Sequence, residues 1–242
     1  MINNDLGVQR VGFKRTIFVG DIHGCFDELM ELLDKVSFDA SCDRLVSLGD
    51  LMHKGNKSAE VIRFFMDNGY EAIMGNHDYY FMQILAKERE ETDEFRRIEK
   101  TIGLKREELL QWFESRPKYI EEDDFIAVHA GVHPWQDKMQ EQDVENLYYT
   151  RFWDVEKRLS YRFYPKDAKS VILLPWYQIL HKSSYNGKKI FFGHWAKKGL
   201  VQEGQVWGLD TGCCYGGKLT ALLYPAMEVV QVDSRQPKLF DY

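Results

Sequence analysis

Five short apolar runs in this chain each end in a residue able to hold a metal ion. Thr16-Ile17-Phe18-Val19 leads into Gly20-Asp21-Ile22-His23-Gly24, and Leu45-Val46-Ser47-Leu48 leads into Gly49-Asp50. Ala72-Ile73-Met74 leads into Gly75-Asn76-His77-Asp78, Phe125-Ile126-Ala127-Val128 into His129-Ala130-Gly131, and Ile190-Phe191-Phe192 into Gly193-His194. Short apolar runs closed by turn residues read as buried strands. In stacked α/β architectures, ligands sit just beyond the carboxyl ends of such strands. Five strands delivering Asp, Asn and His to one edge would build a metal site.

Helical spacing separates the first three runs. Residues 26–36 carry Leu29, Leu32, Leu33 and Val36, and residues 58–68 carry Val61, Ile62, Phe64 and Phe65 before stopping at Asn68-Gly69. Strand, helix, strand, helix, strand is the grammar of a parallel sheet flanked by helices. Residues 79–114 read as helical, with 87–100 so dense in Glu and Arg that it predicts a solvated helix face. Residues 134–189 show no clean period and scattered aromatics, and are read as short helices and loops covering the site. Residues 206–209, 219–223 and 229–232 read as antiparallel strands of a second sheet. No internal repeat or linker interrupts the pattern, so a single domain over 1–242 is expected, with its core at about 16–233.

Bulk properties remove several alternatives. A hydrophobic fraction of 44% is ample for a core, and no apolar stretch approaches membrane-spanning length. Residues 1–15 are polar and lack an apolar signal core, which argues against secretion. Cys25, Cys42, Cys213 and Cys214 form no CxxC pair, consistent with reduced thiols and a cytoplasmic location. The net charge of −6 argues against broad nucleic-acid binding but not against a small anionic phosphate substrate, because bound cations dominate a local field. The oligomeric state is left open.

Mixed carboxylate, imidazole and amide donors suit manganese, iron or zinc better than a thiolate-demanding metal; two manganese ions are the leading expectation, with iron, zinc, cobalt or nickel as alternatives. Asp21 and His23, two apart in an extended segment, would point the same way. Asp50 can bridge two ions, Asn76 offers an amide oxygen, and His129 and His194 offer imidazoles. Six donors with one bridging carboxylate fit two divalent ions better than one. Such a pair clamps phosphoryl oxygens and activates water for in-line displacement, so hydrolysis of a phosphate ester or anhydride is the expected reaction. His77, beside Asn76, would act as general acid on the leaving oxygen. A lone Asp after a strand is usually a turn or a cap, and a lone His is usually structural. Independent caps, however, have no reason to be Asp, His, Asp, Asn, His and His at strand ends of one chain.

These motifs resemble the signature of the phosphoprotein-phosphatase superfamily of calcineurin-like metallophosphoesterases, from about residue 16 to 220. Within it, Phe192-Gly193-His194-Trp195-Ala196 and Leu209-Asp210-Thr211-Gly212-Cys213-Cys214-Tyr215-Gly216-Gly217 are most similar to bacterial symmetrical diadenosine tetraphosphatases and their ApaH-like relatives. The resemblance implies an α/β fold of four layers, a central β-sandwich flanked by helices. It implies a first metal held by Asp21, His23 and Asp50, and a second held by Asp50, Asn76, His129 and His194.

One departure shapes the substrate expectation. The superfamily's second motif usually runs Gly-Asp-x-Val-Asp-Arg-Gly, whereas here it is Gly49-Asp50-Leu51-Met52-His53-Lys54-Gly55. The absent Asp normally pairs with the catalytic His, so His77 is expected to have lost that orienter. Lys54 can replace the absent Arg's charge on a phosphate but not its planar fork. Protein phosphatases of the superfamily keep the Asp-Arg pair, so the departure favours the ApaH-like branch. The family's second phosphate-gripping Arg matches Arg151, while Asp210 and Thr211 are expected to brace the sheet. The leading expectation is symmetrical hydrolysis of a dinucleoside tetraphosphate to two nucleoside diphosphates. A serine/threonine protein phosphatase of bacterial or phage type is the runner-up, with inorganic polyphosphate or a capped RNA end as further anhydride substrates. A non-catalytic binding module is disfavoured by the full set of donors.

Overall fold

The computed structural model describes residues 13–164 and 172–239. The expectation for the polar N-terminal stretch therefore lies outside the described residues up to residue 12, and so does the part of the covering segment at 165–171. The chain opens with β1 (Arg15–Val19), α1 (Phe26–Lys35), β2 (Asp43–Ser47), α2 (Ser58–Asn68) and β3 (Glu71–Ala72). Three helices follow, α3 (Asn76–Leu85), α4 (Asp93–Ile102) and α5 (Arg106–Glu114). Then come β4 (Tyr119–Glu121), β5 (Phe125–Val128), α6 (Val144–Tyr149), β6 (Phe152–Asp154), β7 (Leu159–Tyr161), β8 (Leu173–Pro175) and α7 (Trp176–Ile179). The last strands are β9 (Lys189–Phe192), β10 (Val201–Glu203), β11 (Val206–Gly208), β12 (Lys218–Tyr224) and β13 (Glu228–Asp233).

Two five-stranded sheets carry the architecture, one in the order β13-β12-β1-β2-β3 and the other β10-β11-β9-β5-β4. Alternation along each strand explains how they stack. In β1, Phe18 points into the seam between the sheets, while Ile17 and Val19 point out toward α1 and α2. Phe18 meets Phe191 and Phe125 of the opposite sheet, with ring centroids 4.5 and 5.1 Å apart. On the far side of the first sheet, Leu29, Leu32, Val61 and Phe65 close a core against Leu45. On the far side of the second, Phe81, Leu109, Phe113 and Trp176 pack with Ile126, Val128, Ile190 and Phe192. The layers thus run helix, sheet, sheet, helix, as the α/β expectation required. Each side chain fully buried in them contributes about 1.5–3 kcal/mol. No helix among the described residues is long and apolar enough to cross a membrane.

Three expectations need correction. The C-terminal runs are strands, but they do not form a sheet of their own. β11 lies parallel to β9 in the second sheet, whereas β12 joins the first sheet antiparallel to β1 and β13 pairs antiparallel with β12 at its edge. Alternation identifies a strand without saying which edge it will join. Residues 134–189 contain α6 and α7, but also a small antiparallel sheet in the order β7-β6-β8. Its strands have three residues each, too few to display a period of two. The third apolar run is strand only at Glu71–Ala72; the Met74 amide leaves the ladder to bond the Pro117 carbonyl at 2.9 Å.

Candidate metal centre

The loops that follow β1 and β2 are tied together by backbone bonds. The amides of Ile22 and His23 both donate to the Asp50 carbonyl, at 3.2 and 2.8 Å. The junction forces unusual backbone conformations, with φ of 46° at His23, 52° at Asp50 and 67° at His194. Non-glycine residues seldom adopt positive φ, and those that do cluster at functional sites. The extended geometry expected for Asp21-x-His23 is therefore wrong, because His23 occupies a left-handed turn. Its imidazole still reaches the site, with Nε2 at 3.8 Å from Asp21 Oδ2 and 3.5 Å from Asp50 Oδ2.

The two carboxylates are held by amides from across the site. Asp50 Oδ1 accepts from the His77 amide, and Asp21 Oδ1 from the His194 amide, each at 2.8 Å. Asp78 caps α3 by accepting from the Gly75 amide at 3.2 Å, and it accepts from the Leu51 amide at 3.0 Å. That clips the Asp50 loop to the helix carrying Asn76 and His77. Gly75 has to be glycine here, because a Cβ would run into the Asp50 amide and carboxylate. Gly75→Ala is expected to weaken metal binding about 10–100-fold, the usual effect of disturbing a ligand's supports. Calorimetric titration checks this, and unchanged affinity would show that the loop absorbs the methyl group.

All six expected donors converge. His129 stands just behind the cavity wall, fully buried, with Nε2 at 3.6 Å from Asp50 Oδ2 and 3.0 Å from Asn76 Oδ1. His194 Nδ1 lies 2.9 Å from the same amide oxygen. The donor atoms of Asp21, Asp50 and His129 lie within 4.8 Å of one another, as do those of His23, Asp50 and His77, so Asp50 is common to both groups.

The donor set fits cations. His23 gives its Nδ1–H to the Met52 carbonyl at 3.1 Å, and His129 gives its own to the Leu48 carbonyl at 2.9 Å. The His23 Nε2 lone pair is met by the Lys54 ammonium at 3.0 Å, whereas His129 turns its bare Nε2 toward Asp50 and Asn76 Oδ1. Acceptors facing acceptors make a contact that a cation resolves. Burial, with Asp210 and Asp50 nearby, pushes the Asp21 carboxyl well above its usual range. Burial also pushes Asp50 up, but basic groups around it, the Lys54 ammonium among them, outweigh that and hold the carboxyl low. Burial lowers His23 and His194, which keeps both rings neutral and ready to bind a metal.

These groups open onto a cavity of about 400 Å³, within the range of small-molecule sites. Asp21, His23, Asp50, Asn76, His77 and His194 line it, together with Lys54 and Arg151. The Lys54 ammonium stands 3.0 Å from His23 Nε2 and over the Tyr215 ring. Arg151 is fixed by bonds to the His194 and Arg162 carbonyls, both at 3.1 Å. Sequence reasoning missed several lining residues. Asp210 faces the cavity rather than only bracing the sheet, while Thr211 does brace it, bonding the Lys218 carbonyl at 2.6 Å. Arg162, Phe163 and Tyr164, in the segment just after β7, form the rim.

The His77 ring has a neighbour at the position of the absent Asp. Its Nδ1 lies 2.6 Å from His53 Nδ1, and His53 Nε2 lies 3.2 Å from Glu94 Oε2 on α4. Burial pushes the His77 ring down to about 4, opposed by the charge of Asp50.

A β-sandwich presenting carboxylates, imidazoles and an amide at its seam, beside a basic cavity, defines the class of metal-dependent phosphoesterases. The chain belongs to the calcineurin-like phosphoesterase family, whose sequence profile matches residues 14–213. It is a hydrolase whose family uses divalent metal ions. A Vibrio parahaemolyticus protein named bis(5'-nucleosyl)-tetraphosphatase, symmetrical, is 30% identical, covering 90% of this chain and 98% of its own length. The Nitrosococcus oceani protein of the same name is 30% identical, covering 92% and 94%. Among solved structures, one titled as a candidate diadenosine tetraphosphatase superposes with a TM-score of 0.74 at 27% identity, covering 91% of this chain and 93% of that one. A serine/threonine phosphatase from Saccharomyces cerevisiae shares the fold, with a TM-score of 0.56 at 16% identity over 94% of this chain and 81% of that one.

Proposed function

We propose that this enzyme hydrolyses a dinucleoside tetraphosphate symmetrically, releasing two nucleoside diphosphates, with manganese as the preferred metal. The observation that carries the phosphoesterase chemistry is the meeting of Asp21, His23, Asp50, Asn76, His129 and His194 from two sheets at one cavity. The tetraphosphate substrate is supported by the relatives' names at about 30% identity over most of the chain. It is also supported by His53-Lys54, which stands where protein phosphatases of the superfamily have Asp-Arg.

In this reading Asp21, His23 and Asp50 hold one divalent ion, and Asp50, Asn76, His129 and His194 hold the other. When bound, the ions supply positive charge to the phosphoryl oxygens and activate water as nucleophile. Lys54 and Arg151 draw the anionic chain into register. Arg151 presents a planar fork and Lys54 a point charge. His77 delivers a proton to the leaving oxygen. An anionic polyphosphate beside its ring acts in the same direction as Asp50, favouring the protonated form that this step needs.

The test is a substrate panel with manganese-loaded protein. Diadenosine tetraphosphate is expected to yield ADP alone, at a kcat/KM at least about 100-fold above that for phosphopeptides, a gap of about 2.7 kcal/mol in transition-state binding. Rapid phosphopeptide turnover with the dinucleotide untouched would assign the runner-up instead.

A further inference from the structure

Glu94, His53 and His77 form one line of contacts from the surface of α4 to the cavity. Each contact has a direction. An ionised carboxylate only accepts, so His53 Nε2, 3.2 Å from Glu94 Oε2, carries a hydrogen. A neutral imidazole protonated there has a bare Nδ1, which must accept. His77 Nδ1, 2.6 Å away, is therefore the donor, and its Nε2 is the nitrogen left for the cavity. We propose that Glu94 and His53 are positioning residues that jointly take the place of a single carboxylate behind His77, holding its ring and keeping its hydrogen on Nδ1.

Everything around the pair keeps it in place. His53 sits in a left-handed turn at φ 76°, and its amide donates to Ser58 Oγ at 3.0 Å. Its ring packs on Phe95, centroids 5.3 Å apart. Glu94 lies in the first turn of α4, where the helix dipole favours negative charge. Its second oxygen accepts from the Lys54 amide at 3.3 Å, so one carboxylate holds both the imidazole and the loop that carries it.

Stereochemistry explains why a histidine can do this. Nδ1 of a histidine and Oδ1 of an aspartate are each three bonds from Cα. At position 53 the imidazole therefore offers an acceptor where an aspartate would offer an oxygen. It lacks the negative charge, and Glu94 supplies that from the far side of the ring. The two residues are 41 apart in the sequence, and Glu94 belongs to the charged stretch that reads as solvated surface. The inference rests on the proton-transfer role given to His77.

The test crosses two substitutions in the whole chain, with turnover of phenyl phosphate, whose poor leaving group needs a proton, read in manganese. Glu94→Gln is expected to lower kcat about 10-fold or more with KM little changed, the scale seen when an orienting partner is lost. His53→Asp carries its own charge. Whatever its rate, adding Glu94→Gln to it is expected to lower kcat no further. Proton–nitrogen correlation NMR of the histidine rings in the zinc-loaded protein is expected to show His77 with its hydrogen on Nδ1. The NMR reading needs no turnover, so it separates failure of this inference from failure of the phosphatase reading. Equal losses from Glu94→Gln in both backgrounds would make Glu94 a mere loop support. Wild-type kcat in Glu94→Gln, or a His77 hydrogen found on Nε2, overturns the proposal outright.

Discussion

Asp50→Asn is expected to cut kcat by about 10³-fold or more and to empty the centre of at least one ion. Asp50 Oδ2 lies 3.5 Å from His23 Nε2 and 3.6 Å from His129 Nε2, at the point common to both donor groups. Paired ions supply several kcal/mol of charge stabilisation to phosphoryl transfer, and about 4 kcal/mol corresponds to a thousandfold in rate. Asparagine keeps an oxygen that can accept from the His77 amide, so the loop clipped to α3 should survive. Folding and chemistry are thereby separated. Metal analysis after gel filtration, together with kcat at saturating manganese, decides the matter. A variant that retains two ions and turns over within tenfold of the parent would remove Asp50 from the bridging position.

His77→Ala is expected to behave differently, losing about 10²–10⁴ in kcat while both ions stay bound. The His77 side chain spends Nδ1 on His53, and only its backbone amide supports Asp50. Alanine keeps that amide. The loss should shrink for substrates whose leaving group needs no proton, such as activated aryl phosphates. If the loss is the same for good and poor leaving groups, His77 is not the proton donor. Should metal be lost along with activity, His77 is a ligand, as its closeness to His23 and Asp50 would permit.

The donors were legible because each follows an apolar run and a turn residue, a local pattern that needs no knowledge of the partner strands. Their convergence was an inference, and so was the geometry behind it. Asp21 and His23 reach one point through a left-handed turn, not through strand alternation. Sheet membership was not legible. β12 joins β1 across two hundred residues, and nothing in Leu219 or Leu222 distinguishes a new sheet from the edge of an old one. The rim from Arg162 to Tyr164 was hidden for a different reason, since it lies beyond the end of β7, outside any strand or helix that could carry a period. The partner of His77 was hidden twice over. His53 appeared as a departure from a familiar motif, and Glu94 lay among Glu and Arg residues whose ordinary place is water.

The two sheets interleave the chain in a way that sets the order of events on the ribosome. Asp21, His23, Asp50 and Asn76 are synthesised early, yet Asn76 waits a further 118 residues for its neighbour His194. β1, the central strand of the first sheet, stays open along one side until Lys218–Tyr224 emerges to pair with it. A nascent or truncated chain can therefore present the early donors to solvent without closing them around anything. In the proposed assignment, the set of Asp50, Asn76, His129 and His194 is complete only once His194 has emerged, whereas Asp21, His23 and Asp50 are all present within the first fifty residues.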